Sequence, residues 1–230
     1  IRAGKILDRV NWFELPQSKV VKKISSADDA VIQVRQSLSR AVERQMVADV
    51  PVGAFLSGGL DSSAIVALAS QRAPDLQCYT IEPIGGSDND IVEDLPYAVE
   101  VANHLGVDLE IVKIDSSNLA NDLVEMVWQL DEPLADPAPL NVLYISRLAR
   151  ERGIKVLLSG SGGDDLFTGY RRHLALRYEG LWSWLPKTAR QGLESFSLGL
   201  NQSKTLGRRL SRLFNNAGAS GDERLSAYFA

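Results

Sequence analysis

The chain has 230 residues, a formal net charge of −4, 45% hydrophobic and 23% charged residues. That balance fits one sizeable domain plus an extension, and no apolar run is long enough to span a membrane. A single cysteine, Cys78, excludes a disulfide framework, and one cysteine with two histidines leaves no zinc set, so a reducing cytoplasm is the expected setting. The chain opens on Ile1 rather than Met and shows no secretory signal, which reads as a piece of something longer.

Residues 1–27 read as an extension, with short alternating stretches at 4–7 and 10–13 before Pro16 and a polar linker over 17–27. Asp28 and Asp29 stand where an N-cap belongs, and the spacing predicts a helix to about Ala48 with Val31, Val34, Leu38, Val42 and Met46 on a core-facing side. The apolar run Val52–Leu56 predicts a buried strand. It leads straight into Ser57-Gly58-Gly59-Leu60-Asp61-Ser62-Ser63, and a second apolar run follows over 64–69.

A strand, a glycine turn and a helix start together aim backbone N–H groups and the positive end of a helix dipole at one spot, which suits phosphate. Gly58 and Gly59 let the backbone approach a ligand closely, and Ser57, Ser62 and Ser63 can add hydroxyl donors. The stretch lacks the lysine of a G-x-x-x-x-G-K-[ST] loop and carries Asp61. A carboxylate facing phosphates repels them unless it holds a cation, so Asp61 makes sense as a Mg²⁺ ligand.

Pro74 ends that helix, and 78–81 reads as the second strand. The polar loop 83–94 then lies at the strand's carboxyl end, where open α/β sheets bind ligands. Its acids Asp88, Asp90 and Glu93 read as solubilising charge. A helix over 97–105 follows, with His104 as a cap or surface residue. Gly106 precedes a third strand at 109–112, and a helix over 116–130 is expected to bury Leu119, Leu123, Met126, Val127 and Leu130. Three prolines and three acids make 131–139 a rigid wall between helices. After a helix over 140–151 and a fourth strand at 155–158 comes Ser159-Gly160-Ser161-Gly162-Gly163-Asp164-Asp165-Leu166-Phe167-Thr168-Gly169-Tyr170. This is a second glycine cluster with acids at the end of a buried strand. From Arg171 onward ten Lys/Arg face four Asp/Glu, with helices suggested around Trp182–Pro186 and Leu210–Phe214. The basic surplus reads as helix faces beside an anionic site rather than as a nucleic-acid surface.

S-G-G-L-D-S-S after a buried strand resembles the pyrophosphate-binding loop of the N-type ATP pyrophosphatases, in the version found in asparagine synthetases. The stretch 159–170 closely resembles that family's second signature, S-G-E-G-x-D-E-[LV]-F-G-G-Y, and two motifs in the right order are far more specific than either alone. The resemblance extends over residues 1–180. It implies an α/β fold of the adenine nucleotide alpha hydrolase-like, PP-loop kind: a doubly wound parallel sheet of at least four strands with right-handed crossovers and a helical C-terminal part. It makes 1–27 the linker from an N-terminal glutaminase domain and 28–230 an ATP-binding domain that continues past Ala230.

The cofactors it implies are ATP and Mg²⁺, with Asp61 and Asp164 as metal ligands. Leu56, Ser57, Gly58, Gly59, Asp61, Ser62, Ser63, Ile81, Ser159 and Gly160 would bind the nucleotide, Leu56 and Ile81 at the adenosine. Asp94, matching an acid-bearing helix start, and Asp165 are the catalytic candidates, and the D-E-P segment at 131–133 would border the substrate pocket. The implied reaction activates a carboxylate such as aspartate as an acyl-adenylate, releases pyrophosphate, and lets ammonia from glutamine displace AMP. The implied partners are these small molecules and the glutaminase domain, with a second copy of the chain left open. One departure stands out: Ser161 occupies the position of a family acid thought to help proton traffic or amine attack, a role for which Asp165 is one substitute. β-Lactam-forming synthetases, tRNA-modifying enzymes of the same scaffold, and a nucleotide-binding module that has lost synthesis are the alternatives.

Overall fold

The computed structural model describes residues 5–6, 8–11, 24, 26–82, 94–114, 119–132, 134, 136, 138–200, 205–214 and 216–227. The chain divides into two compact units, Ile1–Asp49 and Val50–Ala230. The first is built on helix α1, Ala27–Gln45. Its N-cap is Ser26 rather than Asp28 or Asp29, correcting the expected start. Extended backbone at Ser26 (φ −146°, ψ 162°) brings its hydroxyl under the first turn, where it accepts from the Asp29 N–H at 3.1 Å. The two aspartates instead lie in the first turn, favourably placed in the helix dipole. Of the expected core face only Val42 is buried, while Val31 and Val34 are 66% and 41% exposed. Helical spacing creates an apolar stripe, but burial also needs a surface to lay it on. Of the strands expected at 4–7 and 10–13, the described residues show a bridge at Lys5 and no element at 10–11, and the rest lies outside the described residues.

The second unit is an α/β layer structure. Strands β1 (Val52–Phe55), β2 (Gln77–Glu82), β3 (Asp108–Lys113) and β4 (Val156–Leu158) form one sheet in the order β3-β2-β1-β4. Every neighbouring pair is parallel, with Ala54 opposite Cys78, Cys78 opposite Leu109, and Val52 opposite Val156. This is the expected fold class. Parallel strands covered on both faces must be apolar almost throughout, which is why they read as continuous runs. Ala54, Leu56, Cys78 and Tyr79 are accordingly fully buried. In central β1 the strand packs so closely that a Cβ at Gly53 would lie 2.9 Å from the Gln77 carbonyl and 3.1 Å from Leu157.

Helices α2 (Leu60–Ala69) and α3 (Leu95–Leu105) pack against each other, α3 also against β2 and β3. After α4 (Leu119–Gln129), α5 (Ala138–Glu151) lies over the sheet face that carries Tyr79 and Val112, closing a cluster with Ile145, Ala149 and Ile154. Cys78 and Thr80 alternate to the opposite face. Helix α4 differs from expectation in its packing: Met126 is buried, but Leu123 and Val127 are 43% and 53% exposed. It is held to α5 by polar contacts instead. The Asp122 carboxylate accepts from the Tyr144 hydroxyl at 2.7 Å and from Arg147 at 2.9 Å, and Arg147 also reaches Glu125.

A one-turn helix, α6 (Gly163–Phe167), follows β4; sequence periodicity cannot reveal so short an element. Helices α7 (Arg171–Glu179), α8 (Lys187–Leu198), α9 (Thr205–Leu213) and α10 (Gly221–Ala227) complete the chain. The Trp182–Leu185 stretch, expected to be helical, forms turns joining α7 to α8. Trp182 is buried there, edge-on to Phe214 at 5.4 Å and beneath the Arg224 guanidinium, which is itself paired with Glu179. Among the described residues no helix is long and apolar enough to cross a membrane.

Candidate active site

In a sheet ordered β3-β2-β1-β4 the chain leaves β1 toward β2 on one side and later returns to β4 on the other. The carboxyl ends of β1 and β4 therefore flank the switch point, where adjacent loops diverge and leave a crevice. Both glycine-rich stretches lie at those ends: 57–63 follows β1 and 159–170 follows β4.

The two loops are in contact, and glycine is what permits it. A Cβ at Gly160 would lie 2.7 Å from the Ser62 nitrogen and 2.8 Å from the Asp61 carbonyl carbon. At Gly163 a Cβ would collide with the Asp61 carboxylate, which occupies that place at the start of α6. Asp61 thus sits one residue from Asp164, while the Asp164 carboxylate lies against Gly169. On its other flank the first loop touches α3: Gly58, at φ +80°, packs on the backbone of Tyr97 and Ala98 with no room for a Cβ. Tyr97, half exposed, is the neighbour of this loop that sequence reasoning missed. Its only signal was its place in the first turn of α3, and a helix start in the sequence does not say which loop it faces.

Inside the first loop the serines bind one another. Ser62 Oγ donates to the Gly59 carbonyl at 3.2 Å, accepts from the Ser57 N–H at 3.3 Å, and lies 3.0 Å from Ser57 Oγ. Ser57 Oγ accepts from the Gly59 N–H at 3.3 Å. Ser63 belongs to α2 through its N–H, which donates to the Gly59 carbonyl at 3.0 Å, and its hydroxyl is shielded from solvent without a hydrogen-bond partner. In the second loop Ser159 Oγ accepts from the Ser161 N–H at 3.1 Å and pairs with Ser161 Oγ at 2.7 Å.

The remaining expected residues divide between surface and core. Asp94 precedes α3 as its N-cap residue but makes no capping hydrogen bond through its side chain. Asp165 accepts from Arg172 at 3.2 Å, and the Arg172 guanidinium lies 4.2 Å over the Tyr170 ring. The Thr168–Gly169 turn brings these residues back toward the start of α6. Leu56 is fully buried, its N–H donating to the Tyr79 carbonyl at 2.9 Å, and Ile81 is half-buried in β2. The loop 83–93, with Asp88, Asp90 and Glu93, lies outside the described residues, as do Pro133, Ala135 and Pro137 of the proline-rich wall. Asp136 of that wall accepts from the Ala138 N–H at 2.9 Å and so caps the start of α5.

Two cavities lie elsewhere in the second unit. One of about 650 Å³, lined by Phe55, Val142, Ala149, Ile154 and Leu157 among others, shares no residue with either glycine loop. We place the chemistry at the loops, because convergent backbone N–H donors and a helix start suit phosphate there. A second, of about 480 Å³, is bordered by Leu134 and Asp136 of the wall together with Met126 and Val142. Cys78 is not a candidate nucleophile. Burial, and secondarily the charge of Asp108, push its thiol up to about 12, so it remains protonated.

The comparisons with known proteins agree with this geometry. The asparagine synthase family profile matches residues 33–228. A Mycobacterium tuberculosis H37Rv protein with the provisional name glutamine-hydrolysing asparagine synthetase is 35% identical over 201 residues, covering 86% of this chain and 30% of its own. Asparagine synthetase [glutamine-hydrolyzing] 1 of Bacillus subtilis is 35% identical over 171 residues, covering 72% of this chain and 26% of its own. Amidase chyE of Penicillium rubens is 34% identical over 202 residues, covering 78% and 29%. The chain thus spans 26–30% of the length of these curated relatives. With the profile matching most of the chain and both glycine loops meeting at the switch point of its sheet, the chain belongs to the asparagine synthase family.

Proposed function

We propose that the chain is the nucleotide-activating part of an ATP-dependent, amide-forming ligase of the asparagine synthetase kind. A carboxylate, with aspartate the first candidate, attacks the α-phosphorus of ATP to give an acyl-adenylate and pyrophosphate. Ammonia then attacks the acyl carbon and AMP leaves. The observation that carries this reading is the contact of the two glycine loops, Gly160 on Asp61 and Ser62, at the crevice between β1 and β4.

In this reading the first loop and the start of α2 receive the pyrophosphate through backbone N–H groups and the helix dipole. Ile81, Ser159 and Gly160 line the nucleotide, while Leu56, fully buried, underlies the start of the first loop. Asp61 and Asp164 are the residues that would hold Mg²⁺. The donor set suits it: the Asp61 carboxylate lies at Gly163, next to Asp164, and Mg²⁺ takes one or two carboxylates and completes its shell with phosphate oxygens and water. When bound, the ion neutralises the phosphates and the departing pyrophosphate. Asp94 and Asp165 remain the candidate catalytic acids. Asp165, bonded to Arg172, is held in place to meet a reactant. An N-terminal glutaminase domain supplies the ammonia, and the lone buried thiol suits the cytoplasm.

A second reading, a nucleotide-binding module without synthesis, is favoured by Ser161, whose hydroxyl pairs with Ser159 where the family carries an acid. Two assays separate them: aspartate-dependent exchange of labelled pyrophosphate into ATP, and ammonia-dependent release of AMP. Both activities support synthesis. ATP binding without either supports the second reading. If the two acids share one site, Asp61→Asn and Asp164→Asn should each weaken Mg·ATP binding by about tenfold or more, and the double variant should lose less than the product of the two. Multiplicative losses in calorimetric titration would separate the two loops.

A further inference from the structure

We infer that Ser62 is a positioning residue, its hydroxyl building the first glycine loop from within rather than touching the nucleotide. The inference rests on the nucleotide reading above. A serine hydroxyl has one hydrogen to donate and two lone pairs to accept with. Ser62 Oγ spends its hydrogen on the Gly59 carbonyl and one lone pair on the Ser57 N–H. In the 3.0 Å contact with Ser57 Oγ it must then be the acceptor, which fills its second lone pair. The hydroxyl is saturated, on a residue only 8% exposed. Nothing of the Ser62 side chain is left over for a ligand.

The same accounting assigns the contact to Ser57, which is exposed. Its oxygen accepts from the Gly59 N–H, and its hydrogen points at Ser62. A phosphate oxygen needs a donor, and a hydroxyl hydrogen can swing to it by rotation about one bond. When it does, the Ser62 links to the Ser57 N–H and the Gly59 carbonyl stay in place. Ser62 therefore holds the two peptide groups that bracket Gly58 while Ser57 changes partner. Gly58 at φ +80° has no Cβ to brace the turn, so this bracket, together with the packing of Gly58 on Tyr97 and Ala98, fixes the loop's shape before ligand arrives.

The test reads the loop with and without nucleotide. In the unliganded chain, Ser62→Ala should speed hydrogen exchange at the Ser57 amide by about fivefold, while core amides such as Val66 and Cys78 stay unchanged. Its Kd for Mg·ATP should rise about tenfold. Ser57→Ala should instead release the Gly59 amide and leave the Ser57 amide protected. If Ser62→Ala does not fold, Ser62→Cys, which keeps the volume, takes its place. Weakened ATP binding with unchanged exchange would make Ser62 a direct contact and overturn the inference. So would faster exchange with unchanged affinity. Failure of the wild-type chain to bind Mg·ATP would instead overturn the nucleotide reading, and the role of Ser62 toward a nucleotide with it.

Discussion

At the scale of single residues, the second loop contains a strained position. Thr168 ends α6 at φ +60°, ψ +37°, in the left-handed region, where a β-branched side chain crowds its own backbone. The family signature has glycine there, so this is a further departure beside Ser161 and Asp165. Thr168→Gly should raise stability by about 1 kcal/mol, read as a higher Tm, because glycine adopts this conformation without steric cost. An unchanged or lower Tm would mean that threonine contributes a contact worth more than the strain. The opposite change should fail at Gly160. Its would-be Cβ meets backbone atoms of Asp61 and Ser62 that cannot move aside without shifting the start of α2. Gly160→Ala should lower stability by about 1–3 kcal/mol and weaken Mg·ATP binding by more than any single serine change. Thermal melts beside calorimetry would read both effects.

Among the elements, α4 and α5 illustrate how packing departed from pattern. The residues at helical spacing on α4 promised an apolar seam, but the join is made by Asp122, Tyr144 and Arg147. The Tyr144 hydroxyl, followed by Arg147, holds the Asp122 carboxyl below its ordinary value. A carboxyl depressed in the folded state stabilises fully above its unfolded value of about 4 and loses that contribution as pH falls through the folded one. Stability of the wild-type chain should therefore decline as pH drops below about 4, and Asp122→Asn should flatten that part of the profile. Denaturant midpoints between neutral and acid pH would show it. Parallel profiles for the two proteins would assign the acid sensitivity to other carboxylates.

Across the whole molecule, the helices after β4 are tied by contacts distant in sequence. Glu179 and Arg224 pair with both side chains only 9% exposed, Arg224 covers Trp182, and Arg190 donates to the carbonyls of Ala217 (2.6 Å) and Ala219 (3.1 Å). Removing one partner of a buried pair strands the other charge. Arg224→Met alone should thus cost about 3–5 kcal/mol, and Glu179→Leu with Arg224→Met much less. Equal losses in urea unfolding would show that the packing on Trp182, not the charge pair, carries this region.

The sequence by itself determined the layer architecture and the address of the site. Buried parallel strands must be continuous apolar runs, and glycine clusters directly after two of them announce loops at the carboxyl edge. Ser57–Ser63 and Ser159–Tyr170 were legible for that reason, because their information is local. What only the tertiary structure decided is which groups meet. The strand order places β4 beside β1, and so sets Gly163 under Asp61 and Gly160 on Ser62 across about a hundred residues of chain. It also decided that Gly58 rests on Tyr97, that Arg172 returns to Asp165, and that Val31, Val34, Leu123 and Val127 stay exposed. Spacing along a chain fixes which side chains share a face, but a partner surface is fixed only by how the elements pack, and that information is not local.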